Sequence, residues 1–333
     1  MLPQLVRRRA TRAAALLAAA ALLTGCGSGS GSNGGQAAPI TGLKIMAPAA
    51  PGGGYDQTSR AMQKDLQDTK IASGVQVFNV EGASGTNGLK QLADSKDDNL
   101  LMTMGLIMVG GIQTTGSEKT LKDTTPIARL LAESEVLVVP AESPWTTLEG
   151  FLESWRQDPK NTPIAGGGAG GSEQILLGLI ADQVGIDPGQ INYVANSGGG
   201  KALEKVLSGE VKAGLNGVSE FKEQIDAGKL RALAVSGDNR SKLLPEVKTL
   251  KEQGVGLSFY NWRGVHARPG LSDSDKQKFT DMLTRLHDSE AWKKTLVDND
   301  WEDYFLTGAE YSSFVDSENE RARKVLTDIG LVK

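Results

Sequence analysis

Three glycine-rich runs follow short apolar segments and precede predicted helices, at residues 52–54, 166–171 and 197–200. At the start of a helix the first backbone N–H groups have no partner within the helix, and the helix dipole places partial positive charge there. Glycine has no side chain to keep a ligand away from that backbone. Such loops bind anions without a cationic side chain. The pattern therefore predicts a protein that encloses a small carboxylate between neutral glycine loops.

The predicted binding residues lie on four loops and one strand end, since a further glycine loop at 82–88 also opens a predicted helix. They are Gly53, Gly54, Tyr55, Asp56, Gly85, Thr86, Ala169, Gly170, Gly171, Ser172, Ser197, Gly198 and Asn216. For some of them a second role stays open. Asp56 suits a helix cap better than a ligand contact, and Ser172 and Ser197 suit either role equally. Asn216 could donate its amide to a ligand oxygen or lie in a loop without a partner.

The residues that catalysis needs do not occur together in this chain. Residues 166–171 match the glycine fingerprint of dinucleotide-binding proteins, but the next predicted strand ends at Ala195-Asn196, where that fold needs an acid. No G-x-S-x-G, H-E-x-x-H or C-x-x-C pattern occurs, and neither His266 nor His287 lies in a glycine-rich or acidic loop. We therefore expect no catalytic residue, no cofactor and no metal site. The alternative is an exported α/β enzyme acting on a carboxylate or phosphoester.

The N-terminal sequence is typical of an export signal. Arginines at positions 7, 8, 9 and 12 lead into the apolar stretch 13–23, which is too short to span a bilayer. The next residues, Leu23-Thr24-Gly25-Cys26, look like a bacterial lipobox, in which the cysteine takes a lipid. We predict a lipoprotein signal peptide at 1–25, a lipid on Cys26 and a flexible glycine- and serine-rich tether at 26–39. The protein is then anchored by lipid to the cell membrane, on its extracytoplasmic face.

The composition and length of the chain indicate which partners it suits and how many domains it forms. The chain has 36 basic and 40 acidic residues, for a formal net charge of −4. An acidic chain is poorly suited to nucleic acid, whose binding depends on cationic contacts with phosphates. Cys26 is the single cysteine, so no disulfide can form within the chain. The length left after the signal and tether suits two domains of ordinary size, and we expect a monomer.

Short apolar strands alternate with helical stretches from residue 43 onward, which is typical of parallel sheets flanked by helices. The predicted strands are 43–46, 75–80, 100–104, 136–140, 163–165, 191–195, 211–216, 230–235 and 259–265. The C-terminal part reads as three surface helices, at 272–286, 289–297 and 308–326. Because no strand is predicted among them, we expect this part to pack on the first domain.

Several stretches in order resemble the receptor proteins of the tripartite tricarboxylate transporters. They are 51–56 with Arg60, 82–88, 168–172, 227–235, Arg240 with 244–250, and 262–265. The resemblance implies a type II periplasmic-binding-protein-like fold, with two α/β lobes, a ligand cleft between them and a double-strand hinge. It also implies a receptor that delivers a small carboxylate, such as citrate or a dicarboxylate, to integral membrane permease subunits.

The two crossings between the lobes are expected at 135–139 and 257–262. Lobe 1 then holds 40–136 and 259–333, and lobe 2 holds 137–258. The identity of the carboxylate stays open, and a surface adhesion lipoprotein is a further alternative.

Overall fold

The computed structural model describes residues 39–332. The predicted signal peptide, Cys26 and all of the tether except residue 39 lie outside the described residues. The strands are β1 (Ile40–Thr41), β2 (Lys44–Ala47), β3 (Ala72–Ser73), β4 (Gln76–Asn79), β5 (Leu100–Gly105), β6 (Thr125–Glu133), β7 (Glu135–Pro140), β8 (Ile164–Ala165), β9 (Tyr193–Val194), β10 (Ala213–Gly217), β11 (Leu230–Val235), β12 (Asn261–Ala267) and β13 (Trp301–Thr307). The α-helices are α1 (Gly54–Asp68), α2 (Thr86–Ala93), α3 (Leu106–Thr115), α4 (Leu148–Gln157), α5 (Ser172–Gln183), α6 (Gly199–Leu207), α7 (Val218–Asp226), α8 (Asp273–Asp288), α9 (Glu290–Asp298) and α10 (Gly308–Asp328).

The first sheet has six strands in the order β13-β6-β12-β5-β2-β4. Strand β2 pairs in parallel with β4 and β5, whereas β12 pairs antiparallel with β5 and β6, and β13 antiparallel with β6. Every residue of β5 is buried, as expected for a strand covered on both faces. A two-stranded parallel sheet of β1 and β3 lies outside this order.

The second sheet has five strands in the order β11-β7-β10-β8-β9. Strands β8, β9 and β10 run parallel, and β7 runs antiparallel to both β10 and β11. The chain leaves the first sheet at Glu133, the last residue of β6, and enters the second at Glu135, the first residue of β7. It returns between Val235, the last residue of β11, and Asn261, the first residue of β12. The structure confirms the predicted α/β fold class with its two lobes.

The two crossing segments are joined to each other by hydrogen bonds. The Glu135 N–H donates to Ser236 Oγ at 2.9 Å, and that hydroxyl donates to the Phe259 carbonyl at 2.7 Å. The Ser236 N–H donates to the Glu135 carbonyl, and the Phe259 N–H to the Ser236 carbonyl. The segments between the sheets therefore lie side by side, which is the arrangement that a double-strand hinge requires.

Four sizeable elements are absent from the sequence prediction: α3, β6, α7 and β13. Helix α3 is apolar on nearly all sides and buried at Leu106 and Ile112, so it lacks the one-sided pattern that marks a surface helix. The three predicted C-terminal helices are present as α8, α9 and α10. The expectation that this part has no strand is wrong, because β13 lies between α9 and α10 and forms an edge of the first sheet. Only Trp301 of β13 is buried, and a bulge interrupts its pairing with β6.

Helix α10 contacts both halves of the molecule. It packs on α3 and β6 and also reaches α5, where Ile329, just beyond its end, lies against Gly178. One hydrophobic cluster contains Ile112 of α3, Ile175 of α5 and Leu326 of α10. Within residues 39–332, no helix combines the length and the apolar character that a membrane crossing requires.

Candidate ligand-binding site

Six helices have glycine as the N-cap residue, so the N-cap has no side chain that could accept a hydrogen bond from the first turn. These N-cap residues are Gly53, Gly85, Gly105, Gly171, Gly198 and Gly217, at the starts of α1, α2, α3, α5, α6 and α7. The outer helices α4, α8 and α9 differ, because Thr147, Ser272 and Ser289 accept a hydrogen bond from their first turns. No side chain at these six N-cap positions caps the first turn, so its backbone donors are left to other acceptors, as the Met108 N–H of α3 is to the Tyr55 hydroxyl.

The uncapped helix starts lie at the carboxyl edges of the parallel strands. Helices α1, α2 and α3 follow β2, β4 and β5, and helices α5, α6 and α7 follow β8, β9 and β10. In α/β sheets the carboxyl ends of parallel strands are where ligands bind, because the helix N-termini point there. Each lobe thus presents three such ends along one edge.

The two edges meet at the predicted loops. The hydroxyls of Ser84 and Thr114, from the first lobe, donate to the Ala169 carbonyl of the second at 3.2 and 3.3 Å. Gly110 of α3 packs so closely on Gly170 that a Cβ at Gly110 would lie 2.8 Å from the Gly170 carbonyl carbon and closer to its oxygen. The loops at 82–88 and 166–171 are therefore brought together, with the lobes in direct contact.

The structure uses the N–H groups of several predicted residues within their own loops. Gly53 donates to the Ala50 carbonyl at 3.1 Å and Gly85 to the Gly82 carbonyl at 3.0 Å. Gly170 donates to Gln174 Oε1 at 2.9 Å, and Gly171 to the Gly168 carbonyl at 2.9 Å. Gly170 also has a φ of +73°, which side chains rarely tolerate. These hydrogen bonds shape the loops. The other donors are those of the first helical turns, among which the Met108 N–H of α3 is bound by the Tyr55 hydroxyl and the Glu173 N–H of α5 by its own carboxylate.

The side chains of the predicted residues in the first lobe are satisfied within the protein. Asp56 accepts hydrogen bonds at 2.9 Å from the Gly52 N–H, Asn79 and Arg60. Burial pushes the pKa of Asp56 upward, but these three partners outweigh it and hold the pKa below its usual value. The Tyr55 hydroxyl accepts the Met108 N–H at 3.0 Å, and burial raises its pKa. The Thr86 hydroxyl donates to the Ala83 carbonyl at 2.8 Å.

The predicted residues of the second lobe divide into buried and exposed groups. Ser172 is fully buried and donates to Glu173 Oε2 at 3.2 Å. Asn216 is buried and accepts the Gly217 N–H through Oδ1, but its Nδ2 has no hydrogen-bond partner. Gly198 is half-buried, whereas Ser197 is exposed and lines a surface groove with Lys201.

Four buried or half-buried glutamates surround this region and are not among the predicted residues. We call Glu133, Glu135, Glu173 and Glu220 the acid cluster. Glu133 ends β6, Glu135 begins β7, and Glu173 and Glu220 lie in the first turns of α5 and α7. Each alone resembles an ordinary acid near a strand end or helix start, so no local pattern marks them.

Arg263 of β12 provides a buried positive charge next to the cluster. Its guanidinium pairs with Glu133 Oε1 and donates to Thr58 Oγ1 at 3.1 Å, while Trp301 Nε1 donates to Glu133 Oε2 at 3.1 Å. Burial raises the pKa of Glu133 although Arg263 opposes the shift. The guanidinium carbon would lie 2.8 Å from a Cβ at Gly54, so glycine at this helix start leaves room for the arginine.

The other three acids are harder to ionise. Burial, with repulsion from neighbouring acids, raises the pKa of Glu220 to about 8. Burial also raises the pKa of Glu173 to about 7, against the hydrogen bonds it accepts from its own N–H and from Ser172. Burial and repulsion from Glu173 raise the pKa of Glu135 well above its usual value, and the nearby Ser172 hydroxyl only partly opposes this. Neither carboxylate oxygen of Glu135 has a hydrogen-bond partner of acceptable geometry among the described residues. Among residues 39–332, no three His, Cys, Asp or Glu side chains are arranged to hold a metal ion.

Two α/β lobes joined by paired crossings, with helix starts facing each other across the cleft, define a type II periplasmic binding protein. The model of the tripartite tricarboxylate transporter family receptor matches residues 58–331, and the chain belongs to this family. Its members are solute-binding receptors that act outside the cytoplasm with membrane permease partners. The chain is therefore a receptor and not an enzyme.

Sequence relatives and solved structures match this chain over most of their length. The UPF0065 protein in the gbd 5′ region of Cupriavidus necator is 24% identical over 293 residues, which are 87% of this chain and 88% of the relative. MatC from Rhodopseudomonas palustris, solved with bound malate, has a TM-score of 0.74 at 22% identity and covers 86% of this chain and 99% of its own. A second R. palustris protein, solved with adipate, has a TM-score of 0.78 at 20% identity, covering 88% and 99%.

Proposed function

We propose that this receptor captures a small carboxylate between its two lobes and delivers it to integral membrane permease subunits, as a monomer held to the membrane by a lipid on Cys26. The observation that carries the proposal is the set of six uncapped, glycine-started helices at the two facing carboxyl edges. Hydrogen bonds from such N–H groups to a carboxylate are charge-assisted and stronger than neutral ones. The bound malate and adipate of the two R. palustris proteins support a carboxylate ligand here as well.

The ligand would lie between residues 40–136 with 259–333 on one side and residues 137–258 on the other. In this arrangement the predicted residues act mainly through backbone. Gly53, Gly54, Gly171, Ser172 and Gly198 stand at the starts of α1, α5 and α6 and would face the ligand directly. The side chains of Tyr55 and Asp56 would position the first-lobe loop through the contacts described above.

A negative charge placed at the start of α1 tests whether the ligand carboxylate binds there. Gly53 has extended backbone angles (φ −74°, ψ 165°) that any residue adopts, and a Cβ there would lie 3.3 Å from the Ala50 carbonyl oxygen. In Gly53→Asp the new carboxylate caps α1, which stabilises the helix by only about a few tenths of a kcal/mol over glycine, and it occupies the place of the ligand carboxylate. We expect a melting temperature at least equal to wild type and loss of carboxylate binding.

The matched control is Gly53→Ala, which adds the same Cβ without the charge and should retain binding. Binding would be measured by calorimetry over a panel of di- and tricarboxylates, with chromatography to confirm that the ligands remain unchanged. Binding by Gly53→Asp equal to that of wild type would exclude the start of α1 from the site.

A further inference from the structure

The carboxyl group of Glu173 lies inside the glycine loop 166–171 that leads into α5. A Cβ at Gly167 would lie 2.6 Å from Glu173 Oε1, and one at Gly171 would lie 3.1 Å from Glu173 Oε2. The Ser172 hydroxyl donates to the same carboxyl group, and the N–H groups of Glu173 and Gly167 also lower its pKa. The loop that we expect to receive a ligand carboxylate therefore already holds an acid of the protein.

Two side chains near the second-lobe helix starts are buried with polar atoms that have no partner. Neither oxygen of Glu135 has a hydrogen-bond partner of acceptable geometry among the described residues, although Glu135 is only 1% exposed. Asn216 Nδ2 has none either, at 4% exposure, and it lies against the start of α6 at Gly199. Buried polar groups are nearly always hydrogen-bonded, so these atoms indicate that a polar ligand completes the site.

The titratable groups that face Glu173 or its neighbouring acids come from six other elements. They are Glu133 of β6, Glu135 of β7, Glu220 of α7, Arg263 of β12, Tyr55 of α1 and Tyr193 of β9. Burial raises the pKa of both tyrosines, so they stay neutral. Arg263 is already paired with Glu133. A further negative charge in this region is therefore unfavourable.

A ligand carboxylate at the start of α5 would bring such a charge next to Glu173. Two like charges close together in a buried site repel, so one of the two groups takes up a proton. An ordinary carboxyl group ionises near about pH 4, whereas burial raises the pKa of Glu173 to about 7, so the proton goes to Glu173. The protonated acid then has an O–H that donates to the ligand carboxylate.

We propose that this receptor binds its carboxylate together with one proton from the solvent, which Glu173 takes up on a carboxylate oxygen and donates to the ligand in a hydrogen bond. The ligand stays ionised, and none of its covalent bonds changes. This inference rests on the proposed function and adds proton uptake to it.

The direction of the pH dependence follows from these pKa values. Below the pKa of Glu173, about 7, the acid is already neutral before the ligand binds, and the affinity stays constant. Above that pH the ligand must draw a proton from solution, so the affinity falls by up to about tenfold per pH unit. Glu220, whose pKa is about 8, repels Glu173 and adds to this fall. We expect a loss of about tenfold or more between about pH 6.5 and about pH 8.5.

Calorimetry with the full receptor measures the affinity and the proton uptake together. The probe is the tightest-binding of succinate, malate and adipate, which are ionised over this pH range. Titrations in Hepes and in Tris at about pH 7.5 should give different heats, because the two buffers release a proton with different enthalpies. The difference should correspond to more than about half a proton taken up per ligand.

Two variants test whether the acid cluster takes up the proton. Glu173→Gln removes the charge at every pH and keeps a donor group, so it should reduce the uptake by more than half. It should also bind the probe at about pH 8.5 roughly tenfold more tightly than wild type does, a gain that loss of a purely structural residue would not give. Glu220→Gln should give a smaller gain in the same direction.

The matched control is Glu149→Gln. Glu149 lies in the first turn of α4, as Glu173 does in α5, but it is exposed. This variant should take up as many protons as wild type and show the same dependence of affinity on pH.

The outcomes distinguish this inference from the proposed function. Equal heats in the two buffers, with an affinity that does not change with pH, would overturn the proton uptake and leave the carboxylate receptor in place. The wild-type titrations decide this even if a variant fails to fold. An uptake unchanged in both Glu173→Gln and Glu220→Gln would exclude the acid cluster as its source. Absence of binding of all three probes at every pH would overturn both proposals.

Discussion

The contact between Gly110 and Gly170 gives a direct test of closure between the lobes. Gly110 lies inside α3, where alanine is favoured over glycine by about 1 kcal/mol. A Cβ there would lie 2.8 Å from the Gly170 carbonyl carbon and nearer to its oxygen. These are backbone atoms, which cannot rotate away as a flexible side chain can. Since non-bonded contacts of carbon are best at about 3.5–4.0 Å and the oxygen is the nearer atom, the two segments must separate by more than about 1 Å.

The least costly way to separate them is to open the lobes. Helix α3 is buried at Met108 and Ile112, and the opposing loop is held by the Gly170–Gln174 and Gly171–Gly168 hydrogen bonds. Overpacking costs about 1–3 kcal/mol, and we assign this cost to the closed form alone. Gly110→Ala should therefore weaken ligand binding by about 5- to 150-fold. The melting temperature of the empty protein should stay within a few degrees of wild type.

The assay combines calorimetry with small-angle scattering, using the carboxylate identified by mass spectrometry in natively purified wild type. Ligand should reduce the radius of gyration of wild type but leave Gly110→Ala expanded at the same concentration. The control is Gly150→Ala in α4, whose Cβ would meet only the Thr147 hydroxyl, at 3.3 Å. Wild-type affinity in Gly110→Ala would show that this contact is absent from the ligand-bound form. A parallel collapse of the melting temperature would show that Gly110 acts on folding rather than on closure.

Three further predictions concern the anchor, the buried ion pair and the acid cluster. Cys26→Ser should move the protein from the membrane fraction to the soluble exported fraction, and unchanged membrane association would exclude a lipid on this residue. Arg263→Met leaves Glu133 buried without its cation and should lower the free energy of unfolding in urea by about 3–5 kcal/mol. Adding Glu133→Gln should recover more than half of that free energy. Additive losses in the two variants would mean that the two residues are not coupled. Because the pKa values of Glu173 (about 7) and Glu220 (about 8) are raised above 4.5, their contribution to stability is complete below about pH 4.5 and is lost as the pH rises through 7 and 8. The melting temperature of the empty protein should therefore fall as the pH rises from about 4.5 to 8, and it should fall less steeply in Glu220→Gln. An identical slope in the variant would contradict the raised pKa of Glu220.

Much of the fold can be predicted from the sequence because its signals are local. Strand β5 is a continuous apolar run, and α4 is preceded by Thr147, a residue type that favours N-caps, whose hydroxyl accepts the Gly150 N–H at 3.2 Å. The glycine loops at the helix starts are equally visible, since the glycines and the helix that follows lie within a few residues. Helix α3 escapes prediction because a helix buried on all sides has no polar face. Strand β13 escapes because it is a half-exposed edge strand whose pairing partner, β6, lies far away in the sequence.

Three features can be read from the sequence without the structure: the alternation of strands and helices, the glycine helix starts and, through the order of the motifs, the receptor family. The tertiary structure decided which of these features meet. Glu149 and Glu173 both occupy the first turn of a helix, yet Glu149 is exposed and Glu173 is buried beside Glu135. Their local sequences carry the same signal. The difference arises because α5 begins at an edge covered by the other lobe, and burial of that kind depends on the packing of segments distant in the chain.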